Sequence, residues 1–476
     1  MKNSKCPFCW LVFLVLIGCR PGNDPQSRLE KPNILLLIAD DLGYGDLGCY
    51  GGASATPNLD QLAADGLLFT GFYAAAPNCS PSRAGLMTGI SPAKLGMYNY
   101  RPPNHPIHLR DSVVTIAEVL KKEGYQTAHI GKWHLGCLPQ DSALQHPQPR
   151  DQGFDYSFGT ENNAQPSHLN PVNFVRNGER LGVQEGYSCR ILAEEAMQWL
   201  TNERQQENPF FLYLAFHEPH RKVASPPELV AKYGEYPPAD AEYLANIENL
   251  DRAVGKLLDF MRAQGLLKNT LILFSSDNGS YRQASNGELR AVKSYLYEGG
   301  IRVPGIIYWE GLSQKGATIS EPAGFVDIMP TICDLLDTSP PDGQDGTSLM
   351  PLLQGEPLER ENPLYWFFYR TSPEIALRKG NHVVLGKDSD TIPRTHRFSA
   401  ADMSYIKSMS LADYELYDLS KDTGQINNIF DKHPKGTAYE RMIDNKLREI
   451  QEEGYFWRQL PKAEGVKKVK TEWVKY

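Results

Sequence analysis

No block of lysine and arginine in this 476-residue sequence is long enough to make a basic arm, and the formal net charge is -8. Both facts argue against a general nucleic-acid binder. An anionic ligand must then be drawn to a local positive patch, because exposed charges more than about 10 Å apart are largely screened at ordinary salt. Internal repeats and low-complexity tracts are lacking too. What remains is an ordinary globular composition, 41% hydrophobic and 22% charged, with material for one large domain and a smaller one. The eight cysteines, at positions 6, 9, 19, 49, 79, 137, 189 and 333, match no zinc spacing and form no disulfide framework. Cys49, Cys137, Cys189 and Cys333 are left free to pair in an oxidising compartment, and their pairing stays open.

The apolar run at residues 6–17 is too short to span a bilayer comfortably, and it follows Lys2 and Lys5. That layout reads as an export signal. Leu16-Ile17-Gly18-Cys19 resembles a bacterial lipobox, which implies a signal peptide over residues 1–18, a lipidated Cys19 held in a membrane, and a tether over 19–31. The expected location is that of an exported, membrane-anchored bacterial lipoprotein, periplasmic or on the cell surface.

Four further apolar runs end in polar residues. Residues 33–39 end in Asp40-Asp41; 126–130 in Gly131-Lys132-Trp133-His134; 210–216 in His217-Glu218-Pro219-His220; and 270–274 in Ser275-Ser276-Asp277-Asn278-Gly279. The first shows no alternation, as expected of a strand covered on both faces. Helical patterns at 56–66, 112–123, 189–202 and 241–264 lie between them. In the last, Leu244, Ile247, Val254, Leu257, Leu258 and Met261 share one face. Alternating strands and helices predict an α/β fold with a large, mostly parallel sheet flanked by helices, and ligands bound beyond the carboxyl ends of its strands. Asp40, Asp41, Asp277 and Asn278 are all oxygen donors, which suits calcium, with magnesium the alternative, better than zinc.

Cys79-Ser80-Pro81-Ser82-Arg83 continues as Ala84-Gly85-Leu86-Met87-Thr88-Gly89. A serine N-cap at 80 followed by proline predicts a helix start there, with residue 79 just ahead of unpaired N–H groups. The whole run resembles the signature of type I formylglycine-dependent sulfatases, arylsulfatase-like and N-acetylgalactosamine-6-sulfatase-like members of the alkaline phosphatase superfamily. Glu298-Gly299-Gly300-Ile301-Arg302-Val303-Pro304 resembles another segment of that family.

The resemblance implies a catalytic domain at 32–355 and a small C-terminal α+β domain at 356–476 with an antiparallel sheet. In that smaller part Ile443, Leu447 and Ile450 fit one helix face. It also implies that Cys79 is oxidised by a formylglycine-generating maturation enzyme and completes a metal shell with Asp40, Asp41, Asp277 and Asn278. The aldehyde hydrate then attacks sulfur, displaces the substrate alcohol, and expels sulfate through its second hydroxyl. Arg83, Lys132 and Lys293 are expected to face the transferring group, His134 to orient the hydrate, and His220 to protonate the leaving oxygen, with His217 a competitor. Arg282 and Arg290 are further candidate positive charges. Residues 98–108, 160–173 and 221–239, with His105, His108 and His168, are candidate substrate loops. The expected substrate is a sulfated extracellular carbohydrate, a polysaccharide or glycosaminoglycan. The rival readings are a formylglycine-dependent phosphomonoester or phosphonate hydrolase and a non-catalytic lipoprotein that binds sulfated glycans.

Overall fold

The computed structural model describes residues 1, 31–103, 105–138, 144–369, 373–388, 398–458 and 460. The expected signal peptide after Met1, Cys19 and the expected tether up to residue 30 lie outside the described residues. Eleven strands build the large sheet: β1 (Asn33–Asp40), β2 (Leu67–Tyr73), β3 (Gln126–Lys132), β4 (Tyr156–Thr160), β5 (Val175–Arg176), β6 (Glu179–Arg180), β7 (Phe210–Pro219), β8 (Thr270–Ser276), β9 (Arg302–Tyr308), β10 (Ala317–Ile319) and β11 (Ala323–Gly324). Their order is β10-β2-β9-β8-β1-β7-β3-β4-β5-β6, with β11 paired to β2.

The four apolar runs singled out in the sequence are neighbours, β8-β1-β7-β3, and all pair in parallel. Parallel pairing puts their carboxyl ends at one edge. Asp40, Lys132, His220 and Asp277 therefore arrive together from positions far apart in the chain. The unbroken apolar character of β1 follows from burial on both faces. Ile34, Leu36 and Ile38 enter one core with Phe69, Phe211 and Tyr213. Leu35, Leu37 and Ala39 enter a second core with Leu192, Ile247, Val254 and Met261.

The helices behind that second core span Ser188–Gln198 and Pro238–Ala263. The first continues as a π-helical turn over Trp199–Glu203 instead of the α-turn the pattern predicts. Leu244 departs from the predicted face: it is half-buried against Leu229 and Tyr233 in a small separate cluster.

Four antiparallel strands follow in the order β12 (Leu364–Tyr369), β13 (Pro373–Lys379), β14 (His382–Asp388) and β15 (Leu411–Asp418). One face of this sheet packs with Ile443, Leu447 and Ile450 of the Gly436–Glu453 helix. Its other face, including Trp366, Phe368 and Val383, meets Tyr73, Leu296 and Ile301. Trp366 Nε1 donates to the Ala74 carbonyl at 2.7 Å, satisfying the buried indole. The cysteines among the described residues, Cys49, Cys79, Cys137, Cys189 and Cys333, are all unpaired.

Candidate active site

Backbone shape brings the donors to the sheet edge. Gly131 has φ +112°, and a β-carbon there would lie 1.8 Å from the Ala215 carbonyl, so only glycine lets β3 pass β7 and deliver Lys132. Gly279 donates its N–H to the Gly300 carbonyl at 3.0 Å, and a β-carbon there would meet Gly299 O at 2.0 Å. The Glu298-to-Pro304 run thus acts as a brace beneath the Asp277-Asn278 turn. Glu298 itself is buried and accepts the Tyr73 hydroxyl at 2.8 Å.

Cys79 opens a helix spanning Cys79–Thr88, with Asn78 as its N-cap. The predicted cap at Ser80 is therefore two residues late. Ser80 Oγ is diverted to accept the Arg101 N–H at 2.6 Å, and Pro81 still falls in the first turn, where its missing N–H costs little. Cys79 Sγ lies 3.7 Å from Asp40 Oδ1, 3.9 Å from Asp41 Oδ1 and 3.0 Å from Lys293 Nζ. Burial pushes this thiol up to about 12, against the pull of Lys132 and Lys293. As a plain thiol it is protonated at neutral pH and makes a poor nucleophile.

Asp40, Asp41, Asp277 and Asn278 are all buried. Burial alone would raise Asp40, but Lys132, at 2.6 Å from Oδ2, together with His220 and Arg83 holds it well below the usual carboxylate range. Burial opposes ionisation of Asp41 as well, and Lys293, at 2.5 Å from Oδ1, and then His220 outweigh it. Asp277 goes the other way, raised to about 6 by burial despite its Arg83 contact. Ligand atoms of Asp40, Asp41, Cys79 and His220 all lie within 4.8 Å of one another. Asn278 Nδ2 donates to Asp41 Oδ1 at 2.8 Å, while its Oδ1 is buried with no hydrogen-bond partner. An orphaned amide oxygen on a residue bonded to Asp41, together with three buried carboxylates, is the donor set a hard cation fits. Asp40, Asp41, Asp277 and Asn278 would hold it, with residue 79 alongside.

Arg83 lies inside the carboxylate cluster. It is 0% exposed, its Nε donates to Asp277 Oδ2 at 2.9 Å, its Nη2 lies 2.7 Å from the same oxygen in an ion pair, and its Nη1 reaches the Lys132 carbonyl and the Tyr213 hydroxyl, each at 3.2 Å. Nη2 is buried without a hydrogen-bond partner and lies 3.9 Å from Asp40 Oδ1, so the guanidinium borders the carboxylates of the site. It anchors Asp277, and breaking such a buried pair typically costs about 3–5 kcal/mol.

The two histidines of the Pro219 segment separate clearly. His217 is fully buried, with Nδ1 2.6 Å from Ser188 Oγ and Nε2 2.7 Å from Thr160 Oγ1. Both ring nitrogens are engaged, so it has none left for a substrate. His220 is partly exposed; Nδ1 donates to the Arg221 carbonyl, and Nε2 lies 3.5 Å from Asp41 Oδ2. Burial lowers His220 below the usual imidazole range, against the opposing pull of Asp41 and Asp40. Lys293 is held above the usual lysine range by Asp41 and the Cys79 site, although burial pulls it down.

His134 donates from Nε2 to the Arg101 carbonyl at 2.9 Å. Burial and then Lys132 hold it well below the usual range, so it is neutral and Nδ1 carries a lone pair with no protein partner. Arg101, unremarked in the sequence, thus ties His134 to Ser80, the neighbour of residue 79. Asn163 was missed too; its Oδ1 accepts from Lys132 Nζ at 3.2 Å. Neither carries a local motif, since each acts through contacts made only by folding.

The loop histidines do not form a substrate surface. His105 is buried against the Phe398 carbonyl, His168 is fully buried, and His108 stacks on His146. Arg290 is turned toward the small sheet, donating to the Tyr417 hydroxyl at 2.9 Å and the Gln425 carbonyl at 2.8 Å.

Comparison with known proteins matches this geometry to a family. The family model described as Sulfatase matches residues 32–338. The chain belongs to the sulfatase family. A second model, N-sulphoglucosamine sulphohydrolase, C-terminal, matches residues 290–453. Human arylsulfatase A is 37% identical over 438 residues, covering 84% of this chain and 83% of the relative. Human N-acetylgalactosamine-6-sulfatase is 35% identical over 400 residues, covering 76% and 72%. Among solved structures, Ps i-CgsB in complex with k-i-k-neocarrahexaose superposes with a TM-score of 0.76 at 27% identity, covering 90% of this chain and 95% of that one. The protein is accordingly a sulfuric ester hydrolase on an alkaline phosphatase-like fold.

Proposed function

We propose that this sulfatase removes sulfate from extracellular carbohydrate, a polysaccharide or glycosaminoglycan, after a maturation enzyme has converted Cys79 to formylglycine, with calcium at the carboxylate cluster and magnesium as the alternative. The observation that carries this reading is the convergence of Asp40, Asp41, Lys293 and the Cys79 side chain within hydrogen-bonding or near-contact distance, in a protein whose relatives are sulfatases. Once installed, the aldehyde hydrate supplies the nucleophile and the cation supplies Lewis acidity.

The chain's own residues do the rest. Lys132 and Lys293 bring fixed positive charge to the place where sulfate oxygens gain charge, the kind of preorganised stabilisation that dominates many enzymes. His134, neutral and held by Arg101, accepts a hydrogen bond from the hydroxyl on residue 79 and orients it. His220, whose Nδ1 already donates to a carbonyl, protonates the leaving oxygen through Nε2 as the imidazolium, the form that Asp41 and Asp40 favour against burial, while Lys293 holds its proton too tightly.

Sulfate and phosphate esters share a shape but differ in charge. Paired aryl sulfate and aryl phosphate substrates therefore test the reading. The sulfate is expected to be cleaved faster by at least about tenfold, a difference of roughly 1.4 kcal/mol in barrier. Faster phosphate cleavage would refute it.

Carbohydrate as the substrate is supported by the saccharide bound to the Ps i-CgsB relative. Export and lipid anchoring at Cys19 complete the proposal and rest on the lipobox-like sequence. The mass of the mature N-terminal peptide is expected to show a lipidated Cys19, and an unmodified start beyond it would exclude the anchor.

A further inference from the structure

Arg221 directly follows His220, so the chain passes from the proposed proton donor to this guanidinium in one residue. The Arg221 guanidinium carbon lies 4.3 Å from the centre of the Tyr281 ring. Tyr281 packs edge-on against Tyr243 with centroids 6.2 Å apart, and Arg282 stands 4.6 Å over Tyr243. Two guanidiniums thus flank two touching rings, on the same two segments that carry His220 and Asp277-Asn278. The rings connect to the reaction centre through Ser280: the Tyr243 hydroxyl lies 3.1 Å from Ser280 Oγ, and the Ser280 carbonyl accepts the Lys293 N–H at 2.9 Å.

The charges there are not balanced. Arg282 pairs with the partly exposed Asp240, and a surface pair of this kind is worth little. Arg221 and Lys222 are exposed and form no ion pair with any described residue. On a chain with net charge -8, two neighbouring guanidiniums, set against the surface carboxylate of Asp240 and the buried carboxyl of Asp46 that accepts the Tyr243 hydroxyl at 2.8 Å, are a local positive patch. Stacking on tyrosine pre-orients a planar guanidinium, and its remaining N–H groups suit hydrogen bonds to a tetrahedral or carboxylate anion.

We propose that Arg221 and Arg282 form a subsite for a second anionic group, a sulfate ester or a carboxylate, on the saccharide whose sulfate is cleaved. This rests on the sulfatase reading given above and narrows its substrate class to saccharides carrying at least two anionic groups.

The test uses matured full-length enzyme and three disaccharides: one with a single sulfate, one with a second sulfate, and one with a uronate carboxylate beside the first sulfate. In the wild type the second anion is expected to raise kcat/KM about tenfold, mainly through KM, and added salt should erode the gain. Whichever anion gives the larger gain identifies the subsite's preference. Arg221→Gln and Arg282→Gln should each cut the ratio of doubly to singly charged substrate severalfold. No preference in the wild type, or an equal preference in the wild type and both variants, overturns the subsite. Should the matured wild type cleave none of the three, the sulfatase reading fails on its own, and calorimetric binding of the same saccharides decides the subsite separately. Tighter binding of the doubly charged disaccharides that Arg221→Gln abolishes would uphold it, and equal affinities would overturn it.

Discussion

Cys79→Ala is expected to lower sulfate-ester turnover by roughly 10⁴-fold or more, because loss of a nucleophile removes nearly all of the chemical acceleration. The change should leave the fold in place, since the thiol is a small buried side chain whose hydrogen bonds to Asp40 and Asp41 are long. Cys79→Ser separates this account from a simple hydroxyl mechanism. Serine offers one hydroxyl where the aldehyde hydrate offers two, so it can accept sulfate once but has no second hydroxyl to expel it. At most one product per enzyme is expected, visible as a burst equal to the enzyme concentration. Steady multiple turnover by either variant would contradict the proposal. Neither result depends on which sugar is the natural substrate.

Removal of the cation should have the next largest effect. Asp40, Asp41 and Asp277 are buried together, and Asp277 is raised to about 6 by burial, against the pull of Arg83 and with repulsion from Asp40 adding to it. A divalent ion relieves that repulsion and gives Asn278 Oδ1 the partner it lacks. Chelation is therefore expected to abolish desulfation and to lower Tm by a few degrees. A ligand at a hundred times its Kd stabilises the folded state by about 2.7 kcal/mol. Adding back calcium should restore both, and magnesium should do so less completely because it demands stricter geometry. An enzyme whose activity and Tm survive exhaustive chelation would show that the carboxylates hold no ion.

Local sequence made much of this site legible. Each of β1, β3, β7 and β8 announces itself by an apolar run and ends in residues with chemical capacity, and their parallel pairing turns four sequence features into one cluster. The sequence signals gave out where tertiary contacts decide the matter. Spacing puts Arg83 one helical turn from Cys79, but only the folded chain shows its guanidinium turned to Asp277 and Tyr213. His217 and His220 are indistinguishable in a four-residue motif, and Ser188 and Thr160, distant in sequence, remove the first from contention. Arg101 and Asn163 carry no motif because they act on His134 and Lys132 through a carbonyl and an amide brought in by loops. His105 and His168 lie in loops that the sequence offers as candidate substrate contacts, yet both side chains turn inward and are buried, while Leu169 and Val172 of the second loop stay exposed.

The central claim is tested most directly by expressing the protein with and without a formylglycine-generating enzyme, then measuring two quantities on each preparation. These are the mass of the peptide containing residue 79 and the rate of desulfation. The account predicts a rate proportional to the fraction of residue 79 carrying the aldehyde, with the thiol form inactive. Equal rates from a preparation that retains the thiol throughout would contradict it.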